Sequence, residues 1–138
     1  MRIMALDVGD VRIGVALSDP SHTIASPLES YRRVGFVKDI EYLIELARVN
    51  EADTVVSGLP LSMDGTDNAQ SRKVREFVGE LEKRFSGRVV LMDERFTTVS
   101  AERMLIGAGM RRENRKKVVD KIAASIILQS YLDTQKNQ

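Results

Sequence analysis

The sequence predicts an α/β chain: one mixed sheet of five strands, three antiparallel and then two parallel, flanked by helices on both faces. Three observations predict it. Two runs of period-two alternation surround a Gly9-Asp10 turn near the start, helical and strand-like stretches alternate through the middle, and a long helical stretch rich in Ile and Ala closes the chain. With 43% apolar residues, 9 glycines and 3 prolines, residues 1–138 have the composition of a single compact domain.

Residues 2 to 8 alternate Met4, Leu6 and Val8 against Ile3, Ala5 and Asp7, apolar on both sides as a central strand requires. Ile13, Val15 and Leu17 then alternate with Gly14, Ala16 and Ser18, which predicts a hairpin. Residues 24 to 31 return as a third strand, and Pro27, which lacks a ladder donor, puts it at a sheet edge. Val37, Ile40, Leu43, Ile44 and Ala47 mark an amphipathic helix to Val49, followed by a short strand from Thr54 to Leu59. Val74, Phe77, Val78, Leu81 and Phe85 mark a second helix ending at Gly87, and Val89 to Met92 form the fifth strand. A shorter helix is expected over residues 100 to 106, then a loop at Gly107 and Gly109, then a largely buried helix from about Lys116 to Leu132.

The chain has no cysteine, and its size needs no disulfide to support a core. Arg2 and Asp7 bracket an apolar run too short for a signal peptide, and no stretch approaches the ~20 residues of a membrane span, so a soluble cytoplasmic protein without a membrane partner is expected. The net charge of +1 points to no polyanionic partner, but its distribution does. Between Arg111 and Lys121 six basic residues (Arg111, Arg112, Arg115, Lys116, Lys117, Lys121) stand against Glu113 and Asp120.

Acids occupy three places where stability alone does not call for them. Asp7 ends the first strand, where open α/β sheets gather ligand sites, and otherwise accepts hydrogen bonds from the Gly9 turn. Asp93 and Glu94 follow an apolar strand, and alternation sends them to opposite faces, so that one can point toward Asp7; Glu94 could equally form a surface pair with Arg95. Asp120 has Ala123, Ala124 and Ile127 at i+3, i+4 and i+7, which turns it coreward on a helix that small residues let approach the sheet; the alternative is a first-turn acid favoured by the helix dipole. Converging carboxylates repel one another, and hard divalent cations relieve that repulsion. Mg²⁺ or Mn²⁺ suits such a site, where two ions about 3.5 to 4 Å apart promote in-line displacement at a phosphate. Zinc does not, since there is no Cys and His22 lies in a turn-like segment read as a solvated loop. Leu61 to Asn68 forms a turn-rich loop before a helix N-terminus whose amides could meet phosphates, or serves as a plain connector. Thr97 and Thr98 are read as caps of the following helix.

Four linked motifs carry a resemblance: Asp7-Val8-Gly9-Asp10-Val11-Arg12-Ile13-Gly14 with Ser18-Asp19; Gly58-Leu59-Pro60-Leu61-Ser62-Met63-Asp64-Gly65; Asp93-Glu94-Arg95-Phe96-Thr97-Thr98; and Val119-Asp120 with Ala123-Ala124 and Ile127-Leu128-Gln129. In this order they resemble the YqgF (RuvX) family over nearly the whole chain. Val11 and Phe96 stand where the family often has Lys and Leu. The resemblance implies an RNase H-like fold related to RuvC Holliday-junction resolvases, a catalytic and metal-binding triad of Asp7, Glu94 and Asp120, and a nuclease maturing the 5′ end of the 16S ribosomal RNA precursor. Arg12, Arg95, Arg111, Arg112, Arg115, Lys116 and Lys117 are the expected nucleic-acid contacts, in a ribosome-assembly context and with a homodimer as an option.

Three other functions stay open on the sequence. A branched-DNA resolvase would use the same acids, and a two-fold dimer would favour it. An ATP-binding module is suggested by Asp-x-Gly-x-x-x-x-Gly from Asp7 to Gly14, although actin-like ATPases need two such domains. A non-catalytic ribosome-assembly factor would bind RNA through the basic run and cleave nothing.

Overall fold

The computed structural model describes residues 1–99 and 112–136, with side chains in the second segment from Val118 onward. The helix expected at 100 to 106, the Gly107 and Gly109 loop and Arg111 lie outside the described residues. In chain order the elements are β1 (Arg2–Val8), β2 (Arg12–Ser18), β3 (Ala25–Arg32), α1 (Phe36–Val49), β4 (Ala52–Leu59), α2 (Ala69–Arg84), β5 (Arg88–Asp93), a 3-10 turn (Glu94–Phe96) and α3 (Arg112–Lys136).

The strands form one sheet in the order β3-β2-β1-β4-β5. β1 pairs antiparallel with β2 and parallel with β4, β2 antiparallel with β3, and β4 parallel with β5. This is the expected mixed sheet. Central β1 carries buried apolar side chains on both faces, while edge strand β3 is largely exposed. Pro27 lies beside a bulge in β3: Val15 faces Glu29 and Ala16 faces Pro27, so Leu28 drops out of the pairing.

Each face of the sheet is covered. Met4, Leu6, Val8, Ile13, Val15, Val55 and Leu59 pack under Ile40, Leu43 and Ala47 of α1 and Val74, Phe77, Val78 and Leu81 of α2. Ile3, Ala5, Ala16 and Val56 pack against Ala123, Ala124, Ile127, Leu128, Tyr131 and Leu132 of α3. Gln129 pins α3 to the start of β3, accepting from the Ala25 amide at 3.0 Å and donating to the Thr23 carbonyl at 3.2 Å.

α1 begins at Gly35, which has no side chain to cap it. Asp39, completely buried, reaches back instead. It accepts from the Val34 amide at 2.9 Å, Gly35 amide at 3.3 Å, Arg33 Nε at 2.9 Å and Tyr31 hydroxyl at 2.9 Å. Burial pushes this carboxyl upward, but the Val34 amide, Arg33, Tyr31 and the Gly35 amide together outweigh it and hold it below the usual range. Arg33 also donates to the Gly9 carbonyl at 3.0 Å, tying the β1-β2 turn to the same cluster.

Two expected boundaries move. α2 ends at Arg84, and its cap residue Phe85 is extended, so Gly87 does not close the helix. Gly87 instead allows close approach to β4, since a Cβ there would overlap the Asp53 carbonyl. α3 starts at Arg112 rather than about Lys116, so the basic run from Arg112 to Lys121 is helical and not a loop. Arg and Lys are good helix formers, and neither Gly nor Pro interrupts the chain after Gly109.

Candidate active site

Asp7 sits near the end of β1, in a row that crosses the sheet. Its partner on β2 is Gly14, and the partner of Gly14 on β3 is Ser30. On the other side, Leu6 pairs with Ser57, so the next residue, Gly58, flanks Asp7. The acid therefore lies between two positions without side chains. α3 fills one of them: a Cβ on Gly14 would overlap the Asp120 backbone carbonyl. This close crossing carries the Asp120 side chain to the sheet, where Ser30 Oγ donates to its Oδ2 at 3.3 Å.

Gly58 fulfils the corresponding role for the third acid. A Cβ there would lie 3.1 Å from Glu94 Oε2 and 2.6 Å from Ile127 Cδ1, so the missing side chain leaves room for the Glu94 carboxylate arriving from beyond the neighbouring strand. Glu94 is buried, and alternation assigns it to the face of Val90 and Met92. Asp93 turns the other way. It caps the 3-10 turn through the Arg95 amide at 2.9 Å and holds the Arg95 guanidinium at 2.7 and 3.0 Å through Oδ2. The Arg95 hydrogen bond keeps the Asp93 carboxyl below the usual range. The expected alternative, an Arg95–Glu94 pair, is thus replaced by Arg95–Asp93, because the strand's alternation separates Glu94 from the surface.

Asp7, Glu94 and Asp120 line one cleft of about 350 Å³ at the strand ends, together with Val8, Gly9, Pro60, Gln70 and Val119. Among the described residues lining it there is no Lys, Arg or His. An adjoining depression is lined by Gly9, Asp10, Val11, Arg12 and Asp120, which places Arg12 beside the acids. The Gly9 amide is engaged by the Arg12 carbonyl at 2.9 Å, so the turn closes on its own backbone. Asp120 lies in the third turn of α3, which removes the first-turn dipole reading.

The donor set consists of carboxylate oxygens, which fits a hard cation. Among the described residues no three His, Cys, Asp or Glu side chains form a group that could by themselves hold a metal ion. Mg²⁺ does not require one, since it keeps several waters and takes one or two carboxylates with substrate oxygens.

The other expected contacts disperse. Arg112, Arg115, Lys116 and Lys117 lie on the first turns of α3, and Arg95 is on the 3-10 turn. Exposed His22, in the left-handed backbone region, contacts the Met1 carbonyl at 2.6 Å, as befits a loop residue. Thr97 Oγ1 accepts from the Val99 amide at 3.3 Å, a capping contact, while residues 100–106, where a helix is expected, lie outside the described residues. The N-terminus of α2 is capped by Asn68, which accepts from the Ser71 amide at 2.8 Å and donates to the Pro60 carbonyl at 2.9 Å. Sequence reasoning missed Ser30 and Gln70. Aligning the hairpin register would have found Ser30, which shares the row of Asp7 and Gly14; Gln70 Nε2 donates to the Val8 carbonyl at 3.5 Å and carries no comparable signal.

Comparison with solved structures gives the fold. RuvC from T. thermophilus in complex with a Holliday junction substrate superposes with a TM-score of 0.61 at 11% identity, covering 98% of this chain and 96% of that one. The fowlpox virus Holliday junction resolvase gives 0.53 at 17% identity, covering 97% and 99%. The fold is RuvC-like and hence RNase H-like. Among sequences, a protein of Caldanaerobacter subterraneus subsp. tengcongensis is 50% identical over 138 residues, and one of Thermoanaerobacter pseudethanolicus 49% over 139, covering 99 to 100% of each chain. Both bear the name "Putative pre-16S rRNA nuclease". The family model described as "RuvX: Holliday junction resolvase" matches residues 1–134, and the chain accordingly belongs to the RuvX (YqgF) family.

Proposed function

We propose that this chain, acting as a single domain over residues 1–138 in the cytoplasm, is a metal-dependent nuclease that hydrolyses phosphodiester bonds and matures the 5′ end of the 16S ribosomal RNA precursor. One observation carries the reading: acids from β1, the turn after β5 and α3 line the same cleft at the strand ends. Full-length relatives named for pre-16S rRNA support the substrate. Asp7, Glu94 and Asp120 are assigned as catalytic metal ligands. Divalent ions such as Mg²⁺ or Mn²⁺, when bound there, supply positive charge for the phosphate oxygens and activation of the attacking water.

The chain's own residues position the phosphate and exclude alternatives. Gly14 and Gly58 let the Asp120 backbone and the Glu94 carboxylate close in on both sides of Asp7, which brings the three acids to one cleft where a phosphate can meet them. Arg12 borders the acids from the hairpin side and offers a cationic contact to the neighbouring phosphate. Arg112, Arg115, Lys116 and Lys117, on the helix leading to Asp120, attract the polyanion and track its strand.

Cleavage of labelled precursor rRNA, unstructured single-stranded RNA and four-way DNA junctions, side by side with Mg²⁺ or Mn²⁺, tests the proposal. Preferential metal-dependent cutting of the precursor supports it. The second reading, a junction resolvase, draws on the family's own description and requires preferential cutting of the junction by a two-fold dimer. No metal-dependent cutting of any substrate by folded protein would leave a binding-only assembly factor.

A further inference from the structure

Phe96 is 74% exposed, in the same single 3-10 turn as Glu94, whose carboxylate lines the cleft. Two residues along such a turn advance about 4 Å, so the Phe96 backbone lies close to the cleft, although the ring is not part of its lining. Single exposed apolar residues are ordinary on protein surfaces. This one differs in how it is held.

The Arg95 guanidinium carbon lies 5.4 Å from the Phe96 ring centroid. Its hydrogen-bonding edge is already used: Nε and Nη2 bind Asp93, and Nη1 donates to the Met63 carbonyl at 3.3 Å. Gly65, at φ +87°, lies against the same guanidinium, since a Cβ there would come within 3.1 Å of Nη1. Arg95 is thus fixed by the loop before α2, and it in turn supports a ring that belongs to neither hydrophobic core of the described residues. With its donors engaged, Arg95 has chiefly its cationic face to offer, and a cation beside an aromatic face suits the π surface of a base.

We infer that Phe96, supported by Arg95, is a stacking platform for a base of single-stranded nucleic acid next to the phosphate held in the carboxylate cleft. The inference rests on the nuclease reading of that cleft. It assigns base stacking to Phe96 and reassigns Arg95 from phosphate contact to support of the ring. Stacking is tolerant of sequence and needs an unpaired base, so the platform selects single strands and frayed ends over uninterrupted duplex.

The chain contains no tryptophan, so Phe96→Trp places a single indole reporter on the platform. Titration of that variant with a short oligoadenylate, in chelator to prevent cutting, should change its emission; inorganic polyphosphate should not. Phe96→Trp should bind the oligomer at least as tightly as wild type by anisotropy, whereas Phe96→Leu, which keeps apolar area without a π face, should lose about tenfold in affinity. The salt slope of binding should be the same in both, because stacking releases no counterions. Unchanged affinity in Phe96→Leu together with unresponsive Trp emission, in protein that still binds the oligomer, would overturn the platform and leave the nuclease reading intact. Failure of wild type to bind single strands with Mg²⁺ as well as in chelator would overturn both.

Discussion

Asp39 and the cleft acids show two ways in which one small fold accommodates carboxylates close to its core. Asp39 is sealed in the first turn of α1 with a guanidinium, a phenol and two backbone amides around it. The cleft gathers three acids from distant parts of the chain at the strand ends. The first arrangement joins the ends of elements and gains fixity. The second relies on Gly14 and Gly58, which let α3 and the Glu94 carboxylate close in on Asp7 beside a cleft of about 350 Å³. A carboxylate sealed from solvent contributes to the fold; carboxylates grouped around an accessible space are suited to hold something that enters it.

The largest difference should appear in turnover. Asp7→Asn or Asp120→Asn should reduce single-turnover cleavage on the order of 10³-fold or more with folding intact, and the double variant should lose little beyond either single one, as members of one unit do. Asp39→Ala should do the reverse, lowering stability by about 3 to 5 kcal/mol in urea melts, because Arg33 is left beside the vacated pocket. Next in size, Gly58→Ala should push against Glu94 and Ile127 and cost about 1 to 3 kcal/mol by overpacking, with a fall in turnover under conditions where the protein is fully folded. The smallest effect concerns pH. The Asp39 carboxyl is depressed in the folded state, so its contribution is fully present above the ordinary carboxylate value of about 3.9 and is lost as pH falls through the lower folded value. The difference in melting temperature between wild type and Asp39→Asn should therefore be constant near neutrality and shrink below about pH 4. A difference that grew on acidification would contradict the sign assigned to Asp39.

The comparison also explains what could be read before any coordinates. Period-two runs and three-four spacing located the strands and described helices, because burial on a sheet or helix face writes itself into the apolar pattern. Asp7 and Asp120 were legible because each interrupts such a pattern with a charge. The choice of Glu94 over Asp93 came only from the family resemblance, since alternation separates the two without saying which face carries α3. Asp39 escaped notice because an acid early in a helix is ordinary, and its partners Tyr31 and Arg33 become neighbours only through the β3-α1 turn. The start of α3 was placed late because charged residues give no apolar stripe, although their helix propensity is good.

The central claim is that Asp7, Glu94 and Asp120 act together on a divalent ion, and direct binding of Mn²⁺, followed by electron paramagnetic resonance of the free ion, tests it without a substrate. Wild type should bind Mn²⁺, and Mg²⁺ should compete. Asp7→Asn and Asp120→Asn should each weaken binding by about tenfold or more, within the 10- to 100-fold range seen when even outer partners of a metal site are lost, while Asp39→Asn, where folded, should leave it unchanged. Equal Mn²⁺ affinity in wild type, Asp7→Asn and Asp120→Asn would contradict the account.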